Sequence, residues 1–394
     1  MACFAMGFGS APAHAQRVFF DSSRYNPAVL HVRFTPAEGR TVSEESDAFL
    51  DLTLIPASGD VEGFRAELST TKFRVQLIKL YRQLSRQESL RVDDPSSPSR
   101  QLHELIFGGL ADVLRREQIT TLLISADRGL QAVPFAALSD GERFFGDRYA
   151  FAITPSLALM DFEVQPVNQD RMLALGASKF QGLAALPLVP QEIRRIGDSR
   201  KKDQYLNHEF TLDVLLDRGA DARYDKLHVA THADFRPGGP DASRLYSGVG
   251  AISMKELARL REKRRGVPLD LVVFSACRTA LGDAGAELGF SGLALQAGAR
   301  SAIGTLWYVD DVATSAYFVL LYRYLEHGIP KANAMQLTRQ AFLLGQVRVV
   351  DDQLLGPHDQ PLLNQLTLSQ QRRVSKGLDN PFYWSGISLM GAPW

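Results

Sequence analysis

The chain has 394 residues, 45% of them hydrophobic, which is enough for at least one full core and for two or three domains. Its 44 basic residues balance 44 acidic ones without a long single-sign block, so charge gives no case for a nucleic-acid partner or a polybasic membrane surface. No run of about 20 apolar residues is present, which argues against a membrane span.

Cysteine is scarce, since Cys3 and Cys277 are the only two in the sequence. Two such distant thiols make neither a disulfide framework nor a zinc site of the C-x-x-C kind. The patterns H-E-x-x-H and G-x-x-x-x-G-K-[ST] are also missing, so nothing indicates a zinc peptidase or a nucleotide fold. We therefore expect Cys277 to be a free thiol, and we expect neither a metal nor a cofactor.

Residues 1–26 are predicted to be a leader or a disordered terminus. Ala13 and Ala15 have the small-residue spacing of a signal-peptidase site, but the first basic residue is Arg17, whereas a complete secretory signal begins with a basic segment. If residues 1–15 are the end of a signal peptide, the protein is periplasmic or secreted. Otherwise it is cytoplasmic, so the location stays open.

An N-terminal α/β half, residues 27–165, is predicted from the apolar patterns that follow. The predicted elements are, in order, strands at 29–34 and 49–55 that open the chain like a hairpin, helices at 63–85 and 100–118, and a buried strand at 120–126. Residues 162–171 are polar and are expected to connect this half to the next one.

A second half, residues 166–394, continues the alternation of strands and helices. Its predicted elements are strands at 172–175, 227–232, 270–277, 302–307 and 382–390, and helices at 192–198, 212–216, 254–265, about 290–296, 313–326 and 330–344. Residues 346–380 are rich in glutamine and irregular in pattern, and they look like an insertion. Alternating strands and helices predict a mostly parallel sheet.

Two of these strands end on reactive side chains, His232 and Cys277, which are 277 − 232 = 45 positions apart. A helix between two such strands makes them parallel, so both ends lie at the same carboxyl edge, where open α/β sheets carry their sites. A free cysteine with a pKa of about 8.5 is only slightly ionised at neutral pH and needs a neighbour to take its proton. His232, with an ordinary pKa near 6.5, can take that proton and later give it to a leaving amine.

Acyl transfer by this pair also needs donors for the oxyanion, and the backbone N–H groups of Ala233 and Cys277 are the candidates. No third side chain that would orient the histidine is evident, although a backbone carbonyl would serve. Each residue also has an ordinary structural interpretation, because a lone strand-end cysteine is commonly a small buried hydrophobe and a strand histidine a core group. His228, in mid-strand, is assigned to structure.

These residues lie within seven blocks, which are Val133–Leu138 with Asp140 and Gly141, Thr154–Leu157, His228–His232, Ser275–Asp283, Ala297–Ser301, Leu306–Asp311 and Asn380–Trp384. On these blocks, about residues 27–391 resemble the CHAT domain, a caspase- and separase-like cysteine peptidase module often found after TPR repeats in bacteria. The resemblance implies a caspase-like three-layer α/β sandwich with a mostly parallel central sheet. It also implies that residues 27–165 are a pseudo-caspase half and residues 166–394 the catalytic half.

The activity that the resemblance implies is that of a regulated, metal-independent cysteine endopeptidase, a hydrolase that cleaves a protein partner. Its dyad would be His232 as general base and Cys277 as nucleophile. The substrate pocket would draw on residues at the same edge, which are Ser275, Trp307, Asp310 and Asp311. Both aspartates would equally well cap the helix that follows them. No TPR segment is evident, so the usual sensing region is missing or, like a regulatory protein, lies outside this chain.

One departure from the family pattern concerns Ala233, because the family usually has glycine directly after the catalytic histidine. If that position needs a positive φ, alanine costs about 1–2 kcal/mol and would misdirect the oxyanion donor. A second departure is Gly176-Ala177-Ser178, where the acidic residue that gives separase-like relatives a basic preference is not evident. The alternative function is therefore a non-catalytic caspase-like interaction or scaffold module.

Overall fold

The structure is a computed structural model that describes residues 25–37, 46–127, 129–154, 156–157, 160, 170–234, 241, 243–275, 292, 294–295, 298–308 and 310–394. Within these residues the strands are β1 Pro27–Pro36, β2 Ala48–Pro56, β3 Glu62–Leu68, β4 Thr121–Ala126, β5 Ala150–Thr154, β6 Arg171–Gly176, β7 Lys202–Leu206, β8 Tyr224–Ala230, β9 Ala233–Asp234, β10 Arg244–Tyr246, β11 Ala251–Ser253, β12 Leu271–Ser275, β13 Ser301–Thr305, β14 Arg348–Val350, β15 Gln353–Leu355, β16 Pro361–Leu363 and β17 Ile387–Gly391. The α-helices are α1 Thr70–Ser85, α2 Pro98–Phe107, α3 Ala111–Arg116, α4 Phe145–Arg148, α5 Val189–Arg195, α6 Leu212–Gly219, α7 Glu256–Lys263, α8 Asp311–Glu326, α9 Lys331–Leu343 and α10 Leu368–Arg373.

An eleven-stranded sheet has the order β3-β2-β1-β4-β5-β17-β13-β12-β8-β6-β7. Its neighbouring strands are parallel except at β3–β2, β2–β1 and β17–β13. Strands β1, β4 and β5 therefore run opposite to the block from β13 to β7. As a result, the carboxyl ends of β1, β4 and β5 lie at the edge of the sheet opposite to the carboxyl ends of the strands from β13 to β7.

Hydrophobic residues cover both faces of this sheet, and strand β12 shows how. Leu271 and Val273 belong to one buried cluster, whereas Val272 and Phe274 belong to another. Residues of α8 lie in the first cluster and residues of α6 lie in the second. A parallel strand that is buried on both faces needs a continuous apolar run, which is what β12 has. The predicted mostly parallel α/β sandwich is confirmed.

Strand β17 lies between the two halves of the sheet. It pairs in parallel with β5 through Met390 and Ile153 and runs antiparallel to β13 over five residue pairs. One buried cluster contains residues from both halves, among them Phe151 and Trp384. The predicted boundary at residue 165 falls within residues 161–169, which are outside the described part of the chain, so it stays a prediction.

The predicted helix at 63–85 was wrong in its first turns. Residues 62–68 form β3, and the helix begins at Thr70 after Ser69, whose hydroxyl oxygen accepts a hydrogen bond from the Lys72 N–H at 3.3 Å. Phe64 and Leu68 are four residues apart, a spacing that fits a helix. Burial along β3 nevertheless alternates from one residue to the next, which is the pattern of a strand.

Residues 346–380 were predicted to be an irregular insertion, and the structure corrects this. They contain the antiparallel three-stranded sheet β14–β16 and helix α10. The Gln191 side chain of α5 donates to the Asn364 carbonyl at 2.9 Å and accepts from the Asn364 N–H at 2.6 Å. Arg323 of α8 donates to the Pro361 carbonyl at 2.6 Å. This segment is therefore attached to two helices of the second half.

Candidate functional site

The carboxyl ends of strands β8 and β12 lie side by side. The two strands pair in parallel up to Ala230 and Ser275, and one further hydrogen bond joins the Thr231 N–H to the Ser275 carbonyl at 3.2 Å. The buried Thr231 hydroxyl donates to the carbonyl of Tyr246, at the end of β10. Both contacts fix the backbone immediately before His232, which thereby emerges at this edge.

A backbone carbonyl holds the half-buried imidazole of His232. Its Nε2 lies 2.8 Å from the carbonyl oxygen of Ala184, and its ring centroid is 4.8 Å from that of Phe180. Because a carbonyl only accepts hydrogen bonds, Nε2 carries the hydrogen, and Nδ1 of the neutral ring keeps its lone pair. The imidazole is thus oriented with a proton-accepting nitrogen that Ala184 does not use.

The loop between β6 and α5 supplies both of these contacts. The Leu186 N–H donates to the Ser178 carbonyl at 3.0 Å, which closes the loop at its base. Ser178 in turn donates to the Asn207 side chain through its N–H at 2.9 Å and its hydroxyl at 3.0 Å. Sequence reasoning did not identify Phe180 or Ala184. It anticipated only that a backbone carbonyl could orient His232.

Ala233 has an extended backbone in strand β9 and no positive φ. It pairs with Leu245 of β10, while the Tyr246 N–H donates to the His232 carbonyl at 3.0 Å. In an antiparallel ladder this pattern makes Ala233 and Leu245 a non-hydrogen-bonded pair, so the Ala233 N–H points away from β10. The backbone strain that glycine would relieve is not present at this position.

Cys277 and its backbone N–H lie outside the described residues. Ser275, the last residue of β12, is 2% exposed, and its carbonyl bonds to Thr231 as given above. The predicted roles of Cys277 as nucleophile and oxyanion donor, and of Ser275 in the pocket, stay predictions.

Trp307 follows β13 at the same edge but contacts the protein interior. It is 6% exposed, its indole N–H donates to the Phe382 carbonyl at 3.0 Å, and its ring lies 5.7 Å from that of Tyr81. A Cβ at Gly386 would lie 2.6 Å from this ring, so only glycine leaves room for the indole. These contacts give Trp307 a packing function, and a role in the substrate pocket stays a prediction.

Asp310 and Asp311 stand at the start of α8, at the carboxyl edge of β13. Asp310 is the N-cap, since its carboxylate accepts from the Val312 N–H at 2.9 Å. Its other carboxylate oxygen is 3.0 Å from Nε of Arg373, while Nη2 of Arg373 contacts Asp311. Burial raises the pKa of Asp311, an effect that Arg373 opposes. Each carboxylate is therefore already engaged by an arginine.

His228 belongs to a buried polar cluster beneath this edge. Its Nε2 is 2.9 Å from one Glu192 oxygen, the other Glu192 oxygen accepts from the Ser315 hydroxyl at 2.7 Å, and Nδ1 is 3.3 Å from the Tyr322 hydroxyl. All four side chains are buried. The cluster ties β8 to α5 and α8, as expected for a structural histidine.

The described ranges contain no group of three or more His, Cys, Asp and Glu side chains that could hold a metal ion. The same ranges contain no helix with the length and apolar character needed to cross a membrane.

Comparison with protein families gives one match, in which the CHAT domain model covers residues 96–392. No curated protein matches the chain. A solved structure of the Saccharomyces cerevisiae separase–securin complex matches at 11% identity and a TM-score of 0.54, covering 94% of this chain and 30% of that chain. At this identity the likeness shows the fold, and the present chain spans less than a third of that relative.

Two further solved structures match with a lower TM-score. The Arg-specific cysteine proteinase gingipain R is 10% identical over 82% of this chain and 75% of its own, with a TM-score of 0.43. A complex of the Porphyromonas gingivalis RgpB pro- and mature domains is 9% identical over 82% of this chain and 77% of its own, also at 0.43.

Proposed function

Because this chain belongs to the CHAT domain family and has a caspase-like α/β fold, we propose that it is a cysteine endopeptidase that cleaves a protein partner. Its general base is His232 and its nucleophile is Cys277. The observation that carries the proposal is the orientation of His232, whose Nε2 is held by Ala184 at the end of the strand next to β12. Protein cleavage needs no metal in this scheme.

The register of the two strands supports a pairing of Cys277 with His232. Between β12 and β8 the offset is constant, since 271 − 226 = 45 and 275 − 230 = 45. The offset between the two proposed catalytic residues is also 277 − 232 = 45. The proposed dyad therefore has the same offset as the two strands that precede it.

In the proposed reaction, Nδ1 of His232 takes the thiol proton of Cys277, and the thiolate attacks the scissile carbonyl carbon. The Ala184 carbonyl stabilises the resulting imidazolium through Nε2–H. The N–H groups of Ala233 and Cys277 bind the oxyanion, for which the direction of the Ala233 N–H away from β10 is suitable. Nδ1–H then protonates the leaving amine. Finally, water attacks the thioester carbonyl carbon while Nδ1 takes its proton, the C–S bond breaks, and Nδ1–H returns the proton to the departing Cys277 thiolate as the carboxylic acid product leaves.

Alkylation by iodoacetamide tests this proposal directly. In a Cys3→Ser chain we expect Cys277 to react about tenfold or more faster than in the Cys3→Ser/His232→Ala chain, because only a few per cent of an unassisted thiol is ionised at neutral pH. Peptide mass mapping would measure the modification, and His232→Ala should also abolish cleavage of the partner. The exposed His208 provides the control, since His208→Ala should leave the rate unchanged.

A Cys277 that reacts no faster than a free cysteine, with or without His232, would contradict the proposal. The scaffold alternative would then be tested with Cys277→Ser, which retains every biological activity if the chain acts only by binding. Ala233 gives that alternative no support, because its extended backbone carries no positive-φ strain.

A further inference from the structure

An arginine from the 346–380 segment binds the two carboxylates at the start of α8. Arg373 ends helix α10, and its Nε is 3.0 Å from Asp310 while its Nη2 contacts Asp311. The aspartate side chains are 15% and 12% exposed, against 46% for the arginine. A guanidinium presents donors in a planar fork, which suits simultaneous contact with two carboxylates.

The position of these aspartates relates them to His232. Helix α8 is the next element after β13, with five residues between them, and β13 is separated from β8 only by β12. Two strand spacings amount to about 10 Å, so the strand ends that precede the aspartates and His232 lie at one edge and within the span of a bound peptide. The partly exposed Tyr308 lies between β13 and the two aspartates along the chain.

The segment that carries Arg373 is held in place at several points. Asn364 exchanges two hydrogen bonds with Gln191 of α5, and Pro361 accepts one from Arg323 of α8. Helix α10 then starts with a capping box, in which Thr367 and Gln370 bond each other's backbone N–H groups. The arginine is thus delivered to the carboxylates by an ordered element.

We propose that Arg373 is a specificity-determining residue of the proposed peptidase. By pairing with Asp310 and Asp311, it keeps basic substrate side chains away from this part of the edge. The inference rests on the proposed function, because it assumes that the edge binds a peptide. In the absence of Arg373, two largely buried carboxylates would stand without a cation, and a substrate guanidinium would take its place.

The test compares two peptides that differ only in charge. A fluorescein-labelled tetrapeptide amide with arginine and the same peptide with citrulline are titrated against the Cys277→Ser chain, and fluorescence anisotropy gives each Kd. In Cys277→Ser/Arg373→Gln we expect the arginyl peptide to bind about tenfold more tightly, the size of one charge-assisted contact. The citrullyl peptide should be almost unaffected.

Two further variants make the comparison specific. The exposed neighbour Arg372 provides the matched control, because Arg372→Gln removes the same charge and should leave the ratio of the two Kd values unchanged. Adding Asp311→Asn to Arg373→Gln should remove the gain in arginyl binding. A ratio that Arg373→Gln leaves unchanged, absence of arginyl binding to that variant, or an equal effect of Arg372→Gln would each overturn the inference.

Thiol chemistry does not enter this comparison, since serine replaces the proposed nucleophile. A Cys277 that fails the alkylation test would therefore refute the peptidase proposal, while the binding ratio decides separately whether Arg373 excludes basic side chains from this edge.

Discussion

At the scale of single residues, His103 of helix α2 is a buried group that titrates. It is 6% exposed, and its Nδ1 has no hydrogen-bond partner among the described residues. Burial lowers the pKa of His103 from 6.5 to about 4, while the Asp140 carboxylate opposes the shift and Arg100 adds to it. The folded protein therefore keeps this imidazole neutral at pH values where the unfolded chain protonates it.

From this difference we expect acid to destabilise the fold through His103. Between pH 6.5 and about 4 the unfolded chain binds a proton that the folded chain does not, so the free energy of unfolding falls as the pH falls. The contribution between pH 7 and pH 4.5 is about 2 kcal/mol. Urea unfolding at both pH values should show a smaller difference for His103→Gln than for the unsubstituted protein. An identical pH dependence in the two proteins would contradict this assignment.

The residues of the candidate site differ in how far they could be predicted from the sequence. The place of His232 at a strand end could be predicted, because the apolar run that ends on this histidine is a local pattern, and so is the run that ends on Cys277. Ala184 could not, since its contact uses a backbone carbonyl that every residue type possesses. Arg373 could not either, because its partners, Asp310 and Asp311, are more than 60 positions away and nothing in a short window links them.

At the scale of elements, the His228–Glu192–Ser315 cluster fixes two helices to strand β8. Glu192 comes from α5 and Ser315 from α8, and both meet the imidazole in the interior. Helix α5 also follows the loop that holds Ala184 against His232. The cluster therefore supports the site through the helix that positions this loop.

Removal of the central carboxylate should be costly. We expect Glu192→Ala to lower the free energy of unfolding by about 3 kcal/mol or more, because it leaves His228 and Ser315 buried without their partner. Urea denaturation measures this, and Glu142→Ala, which removes a carboxylate that is 83% exposed, should change stability by less than about 0.5 kcal/mol. Equal effects of the two substitutions would show that the cluster does not stabilise the packing of these helices.

Sequence patterns predicted most strands of the eleven-stranded sheet, and β5 and β7, two strands of that sheet to which no element was assigned, were missed for different reasons. Strand β7, Lys202–Leu206, is an edge strand with one buried residue, so its sequence lacks an apolar run. Strand β5, Ala150–Thr154, is fully buried but only five residues long, too short for periodicity to separate it from its surroundings. In both cases the sheet, rather than local propensity, decides the conformation.

At the scale of the whole molecule, aromatic contacts cross between the two halves of the sheet. Trp307 meets Tyr81 at 5.7 Å, and Trp384 meets Phe144 at 5.5 Å. At the same junction, Arg339 donates to the Ile387 carbonyl at 3.0 Å, and its guanidinium lies 4.7 Å from the Phe151 ring. These contacts, with the pairing of β17 to both neighbours, make one continuous structure.

We therefore expect one cooperative unfolding transition rather than two. Tryptophan fluorescence, which reports on the junction, and far-UV circular dichroism, which reports on the whole sheet, should give the same urea midpoint. Arg339→Ala should move both midpoints down together, because the residue bridges the halves. Transitions that separate by probe would show that the halves unfold independently.

The alternation of strands and helices could be predicted from the sequence, and so could the last strand near residue 390. The place of that strand in the sheet could not be predicted. Strands that are consecutive in sequence commonly lie side by side, whereas β17 pairs with β5, more than 230 positions earlier. The position of β17 exists only when both halves have folded, because β17 pairs with β5 of one half and β13 of the other.

This placement has a consequence for how the protein is made. Every other strand described here leaves the ribosome before β17, so the nascent chain holds β5 and β13 with one unpaired edge each until the last strand is synthesised. Unpaired edges of apolar strands are the surfaces at which newly made chains associate with one another. Assembly of the central sheet therefore waits for residues 387–391, which follow β13 by more than 80 positions and β5 by more than 230, and both edges stay open to association during that interval.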